Sequence, residues 1–324
     1  MKCYNHASTM ELCNDLKKVL SSMREKRNFN ETDYIDEKTA KLNRYMSENG
    51  LNACVVAVSG GIDSSVVLGL VYEASKQSNS PIKKIIPILL PCYDNCGVTN
   101  QTDAASRGKD VCLKYGLTPV EINMHEIVET IRNAVETKTA LSPDSWAIGQ
   151  LVPYSRTPVL YYTTSLLNVA GYKAIIVGTT NFSEGGYLGY VGKASDGMVD
   201  VQLISDIYKS EVYAVARKLD LPKSVINVIP AGDMYDSRAD EDVFGAPYDF
   251  VELYQTYLGL KNPEKIALLH NLSSEAMEQF DEYSKNLDHL HKYNNHKYLC
   301  GSPAVHLDLW DSNIPGGWQN KRWN

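Results

Sequence analysis

Residues 55–70, VVAVSGGIDSSVVLGL, constrain this chain more than any other stretch. An apolar, β-branched run stops at Ser59-Gly60-Gly61, and a second apolar run follows Asp63-Ser64-Ser65. The first run reads as a buried parallel strand, apolar on both faces, and the second as a helix. Gly60 and Gly61 permit the positive φ values and close backbone approach of an anion-cradling turn. The helix start adds unpaired N–H groups and the positive end of its dipole, and Ser59, Ser64 and Ser65 add hydroxyl donors. Asp63 is out of place beside an anion unless a cation such as Mg²⁺ bridges it to phosphate. The plain alternative is a tight turn with Asp63 and Ser64 as helix caps. The strand before it and the apolar helix after it favour a phosphate loop. No Gly-Lys-Ser/Thr follows, so the stretch is not a Walker A loop.

Around that turn the periodicity alternates. Residues 9–23 (TMELCNDLKKVLSSM) and 33–48 (DYIDEKTAKLNRYMSE) space apolar groups three and four apart and read as helices, with Asn49-Gly50 as a stop. Strands are predicted over 53–58, 83–91 (KKIIPILLP), 118–124 (TPVEINM) and 173–179 (KAIIVGT). Helices are predicted over 64–77, 99–116, 125–138, 156–171 and 205–222, with Lys209 in the first turn of the last. The alternation predicts an α/β fold, a doubly wound parallel sheet with flanking helices in a single domain. Residues 1–50 are expected to form a helical N-terminal extension and 51–324 the main domain. Ligands of such sheets bind beyond the carboxyl ends of the strands, which directs attention to the loops after Val58, Leu90 and Val177. Residues 230–249 (PAGDMYDSRADEDVFGAPYD) read as a long functional loop, and the aromatic tail from 294 as a segment packed on the body. No second core is evident.

A net charge of −7 argues against a protein that coats nucleic acid. Seven cysteines, an odd number with Cys54 inside a strand-like run, fit free thiols in a reducing compartment. The N-terminus lacks the apolar core of a signal peptide, and no stretch approaches the ~18 apolar residues of a membrane helix. Together these predict a cytoplasmic globular protein engaging neither nucleic acid nor membrane. Cys92 and Cys96 have no second pair to complete a zinc set, and His289 and His291, two apart, do not share a helix face with each other. Structural zinc is not expected.

The SGGxDS loop resembles that of the ATP pyrophosphatase (PP-loop) superfamily, which has an adenine nucleotide α-hydrolase-like fold. Its members cleave ATP between the α- and β-phosphates and adenylate a substrate oxygen. Within it, residues 175–222 (IIVGTTNFSEGGYLGYVGKASDGMVDVQLISDIYKSEVYAVARKLDLP) resemble the centre of the NAD synthetase family. Residues 230–249 resemble that family's acidic loop ending in DE-x-x-x-G-x-x-Y-D, and NNHKYLCGSPAVHLDLW its C-terminal end.

The resemblance implies that Asp63 and Glu184 share Mg²⁺. It implies ATP contacts from Ser59, Gly60, Gly61, Asp63, Ser64, Ser65, Leu90, Thr179, Lys209 and the position of Ala231. It further implies that Tyr154, Arg156, Lys193, Asp200, His296 and Lys297 meet a dinucleotide, deamido-NAD. Catalysis would fall to Asp63 and Lys209, with Asp196 or Asp200 desolvating or deprotonating ammonium. Ammonia is the expected nitrogen donor, because residues 1–50 are too few for a glutaminase domain, and a homodimer is the expected assembly. Three departures stand out: Tyr154 replaces the first arginine of the family's AR-x-R element, Ala231 replaces a threonine, and one extra residue separates Glu184 from Lys193. They keep open a PP-loop amide ligase acting on a different carboxylate, or a catalytically inactive ATP-binding paralogue.

Overall fold

The computed structural model describes residues 8, 10–93, 101–232, 238–297 and 304–310. In chain order the elements are α1 (Asn14–Arg27), α2 (Glu31–Glu48), β1 (Ala53–Ala57), α3 (Ile62–Lys76), β2 (Lys84–Leu89), α4 (Gln101–Lys114), β3 (Val120–Glu121) and α5 (His125–Thr139). They continue with α6 (Ser145–Val169), β4 (Ala174–Gly178), a π-helical turn (Ser183–Leu188), β5 (Val201–Gln202), α7 (Lys209–Lys218) and α8 (Lys223–Ile226). Last come α9 (Asp240–Phe244), α10 (Tyr248–Leu258), α11 (Asn262–His270), α12 (Ser274–Asn294), a 3₁₀ turn (Asn295–Lys297) and β6 (Val305–His306).

All strand pairs are parallel, in the order β3-β2-β1-β4-β5-β6. The expected doubly wound sheet is therefore present. β1 is central because its residues are apolar on both faces. Cys54, Val56 and Val58 enter one apolar cluster with α2, α3 and α7, while Val55 enters another with α5 and α6. The chain moves outward from β1 through β2 and β3, then returns to the other side of β1 as β4. This reversal opens a crevice at the carboxyl ends of β1 and β4.

Several expectations are corrected. The third strand is only Val120–Glu121, at the sheet edge and exposed on both residues. The helix expected at 156–171 starts earlier, at Ser145, where the Asp144 side chain accepts from Ala147 N, and it carries Pro153 and Pro158 inside it. The helix expected from 205 starts at Lys209. The stretch 230–249 is not all loop: it contains α9 and the start of α10, with residues 233–237 outside the described set.

A further apolar cluster, unanticipated from sequence, joins Leu16 and Leu20 of α1 to Phe250 and Tyr254 of α10 and to Phe280 and Leu287 of α12. Tyr187 and Leu188 of the π turn also enter it, so this helical layer grips the chain just past Glu184.

Candidate active site

The Ser59-Gly60-Gly61 turn follows β1 and leads into α3. Gly60 has φ +81°, and a Cβ there would sit 2.0 Å from the Ala104 carbonyl oxygen, so only glycine fits. Gly61 is the N-cap of α3 and no side chain caps that helix, which leaves its start open to an anion. The Ser59 and Ser64 hydroxyls lie 3.0 Å apart, and Ser64 and Ser65 donate back to Gly61 O. Beside the loop is a cavity of about 50 Å³ lined by Ser59, Leu90, Gln101, Ala104 and Arg156. Arg156, grouped by the resemblance with the dinucleotide contacts, lies on this cavity and donates from Nε to Leu90 O at 3.1 Å.

Across the crevice Lys209 is the first residue of α7, and it is 2 % exposed. A cation at a helix N-terminus opposes the dipole and burial penalises it further, so strong compensation is required. It comes from Asp63 Oδ2 at 2.6 Å and Glu184 Oε1 at 2.7 Å. Burial works to lower the lysine's pKa, but Asp63, Glu184 and Asp240 outweigh it and hold the ammonium charged. Asn181, three residues past β4, fixes both acids: its Nδ2 donates to Asp63 Oδ1 at 2.7 Å and its Oδ1 accepts from Glu184 N at 3.1 Å. Ser183 Oγ accepts from Lys209 N.

Glu184 sits in the π turn. Such a turn encloses one residue more than an α turn, and the extra residue between Glu184 and Lys193 falls in this region.

Sequence reasoning assigned no individual role to three residues that complete this cluster. Tyr248 OH lies 2.7 Å from Glu184 Oε1 and 2.8 Å from Asp240 Oδ2, and Tyr190 OH donates to Asp240 Oδ1. A hydroxyl has one proton to give, so it cannot satisfy two ionised carboxylates. Burial, with Glu184 close by, pushes the Asp240 carboxyl up to about 6. Burial and Glu184 also hold Asp63 above the usual carboxylate range, although Lys209 and Asn181 pull it down. One lysine therefore serves three carboxylates. The signal for Asp240 and Tyr248 lay in the acidic stretch 230–249, where both occur.

The remaining candidates differ in burial and in partners. Thr179 is half-buried directly after β4. Asp200 is half-buried, its Oδ2 accepting from Ile176 N at 2.7 Å, and burial raises its pKa. Asp196 is exposed and accepts from Gly192 N at 2.9 Å. Lys193 and His296 are exposed, and Lys297 donates to Gly189 O and Val191 O, bracing the turn that leads to Lys193. Tyr154 is 40 % exposed and donates to Gln150 Oε1. Ala231 is exposed and bridges Ala239 in antiparallel fashion. Among the described residues no group of three or more His, Cys, Asp or Glu side chains is arranged to hold a metal by itself.

The family model described as NAD synthase matches residues 34–298. The NH(3)-dependent NAD(+) synthetase of Pyrococcus furiosus is 30% identical over 258 residues, covering 79% of this chain and 91% of that protein. That of Thermoplasma acidophilum is 32% identical over 250 residues, covering 74% and 94%. Among solved structures, NMN synthetase from Francisella tularensis superposes with a TM-score of 0.65 at 21% identity, covering 83% of this chain and 96% of that one. With its loop, its crevice acids and these relatives, the chain belongs to the NAD synthase family.

Proposed function

We propose that the chain amidates the nicotinate carboxylate of deamido-NAD with ammonia, consuming ATP and releasing AMP and pyrophosphate. The observation that carries this reading is the meeting of Asp63, Glu184 and Lys209 in the β1/β4 crevice, beside an uncapped helix start, in a chain of this family. A carboxylate oxygen of the substrate attacks the α-phosphorus, the bond to the bridging oxygen breaks, and pyrophosphate leaves. Ammonia then attacks the carbonyl carbon, the C–O bond breaks, AMP leaves with that oxygen, and the nitrogen gives up a proton.

The loop N–H groups and the first turn of α3 face the charge that gathers on pyrophosphate, and Lys209 supplies a fixed cation beside it. Asp63 and Glu184 would hold Mg²⁺: both are hard oxygen donors, and an oxygen of each converges on Lys209 Nζ, at 2.6 and 2.7 Å. Bound there, the ion would offset phosphate charge. Asp200, its basicity raised by burial, and Asp196 are the two candidates for taking the proton from ammonium. Lys193 and His296, both exposed, are available to a dinucleotide.

The assay is direct. With ATP, Mg²⁺, ammonium and deamido-NAD, equal amounts of NAD, AMP and pyrophosphate are expected; ADP would contradict α,β cleavage. Tyr154 in place of an arginine favours a second reading, a different carboxylate as acceptor. Turnover with a shorter nicotinate nucleotide but not with deamido-NAD would establish it.

A homodimer is supported by the outer stripe of α6, where Tyr154, Tyr162, Leu166 and Val169 are exposed at helical spacing. Leu166→Glu is expected to yield monomers in sedimentation if α6 forms the seam. A cytoplasmic location is supported by the odd number of cysteines and the burial of Cys54 and Cys112, which suit thiols in a reducing compartment. No described helix is long and apolar enough to cross a membrane.

A further inference from the structure

We propose that Arg107 on α4 is a positioning residue for the phosphate loop, holding the Gly60–Gly61 peptide so that its N–H faces the anion site. The inference deepens the ATP reading above and rests on it.

α4 lies directly on the loop. A Cβ on Gly60 would meet Ala104 O at 2.0 Å, and one on Gly108 would meet Val58 O at 3.3 Å. Residues 104 and 108 share a helix face, and their small size lets the backbone of α4 approach the strand end and the turn. Arg107, three residues from Ala104, reaches the same turn: its Nε donates to Gly60 O at 3.1 Å.

A trans peptide is planar, so its C=O and N–H point in opposite directions. Anchoring Gly60 O towards α4 therefore turns the N–H of the same peptide, which belongs to Gly61, away from α4. On that side the Gly61 N–H donates to Ser59 Oγ in a long 3.3 Å bond, and Ser59 Oγ lies 3.0 Å from Ser64 Oγ, so the N–H and both hydroxyls share one face of the loop. Gly60 and Gly61 have no side chains to fix this peptide and more backbone freedom to lose than any other residue. Flipped, the peptide would present a carbonyl oxygen to phosphate. A guanidinium suits the task because a charged donor bonds more strongly than a neutral one, and its charge also stands near the phosphates.

The test uses the full chain with two substitutions. Arg107→Met keeps the apolar stem and removes the donor, whereas Arg107→Lys keeps a charged donor. Equilibrium binding of MgATP and of inorganic pyrophosphate, KM for ATP and for deamido-NAD, and melting temperature are measured for each. Arg107→Met is expected to weaken ATP and pyrophosphate binding about tenfold or more, with KM for deamido-NAD and melting temperature unchanged, and Arg107→Lys to recover most of the loss. Unchanged ATP and pyrophosphate affinity in Arg107→Met overturns the proposal. So does a parallel loss for deamido-NAD with a lowered melting temperature, because the arginine would then only hold the fold. A wild-type chain that binds no ATP sinks the ATP reading itself, and this inference with it.

Discussion

Lys38 and Lys209 are both buried and both bonded to carboxylates, yet their surroundings differ in charge. Lys38 on α2 donates to both oxygens of Asp206 at 2.9 Å and to Leu307 O at 2.6 Å. Tyr34 OH and Leu309 N also donate to Asp206. One cation meets one anion there, and neighbouring donors saturate the acid. Lys209 instead faces Asp63 and Glu184, with Asp240 one tyrosine hydroxyl beyond. The first arrangement is a latch, fastening residues 304–310 to α2 and to the loop before α7. The second leaves negative charge uncancelled at a crevice where an additional cation has a reason to bind. A buried ion pair alone does not mark a site; its charge balance does.

The comparison breaks most visibly at the latch. Lys38→Met leaves Asp206 buried without its counter-ion and is expected to cost about 3–5 kcal/mol in chemical denaturation. A loss below about 1 kcal/mol would show that the pair is not structural. Asp63→Asn should do the reverse. It lowers kcat by on the order of 10²-fold, while denaturation midpoints stay level or rise, because an over-negative cluster loses a charge. Unchanged turnover would remove Asp63 from the mechanism.

Asp240 sharpens the contrast through pH. Its pKa of about 6 in the folded chain stands above the ~3.9 of an unfolded aspartate. Between those values the folded chain keeps a proton that the unfolded chain has released. Its contribution to stability therefore falls as pH rises from about 4 to about 6, and is flat above. Asp240→Asn keeps an acceptor for Tyr248 and removes the charge. Without ATP or metal it should be about 1–2 kcal/mol more stable than wild type at pH 8, with that limb of the pH curve flattened. Equal stability at pH 8 would mean that Asp240 is not strained by its neighbours. The smallest effect is expected from Tyr248→Phe, which removes one hydroxyl held between two acids. A severalfold loss of kcat, about 1 kcal/mol, is predicted, and an unaltered rate would assign Tyr248 to packing alone.

How much was legible in the sequence follows from distance along the chain. The strand, turn and helix around Gly60 could be read because they are contiguous, and apolar runs on both sides fix β1 at the centre of the sheet. Glu184 and Lys209 were found only through resemblance, since a lone glutamate or lysine in an amphipathic stretch reads as solvated surface. The Lys38–Asp206 latch spans 168 residues, and the Tyr248–Glu184 bond 64. No local pattern signals either one. Arg107 was hidden in the same way, since its bond to Gly60 spans 47 residues. The π turn and the one extra residue between Glu184 and Lys193 fall in the same stretch, but nothing in spacing gives the shape of the chain there.

Adenylation of a carboxylate before nitrogen arrives moves one of its oxygens into AMP, so isotopic oxygen reports the step. Deamido-NAD labelled with oxygen-18 in both carboxylate oxygens is turned over with unlabelled ATP, Mg²⁺ and ammonium, and the products are weighed by mass spectrometry. One labelled oxygen is expected in AMP, one in the amide of NAD, and none in pyrophosphate. Unlabelled AMP, or label in pyrophosphate or phosphate, would contradict adenylation of the carboxylate.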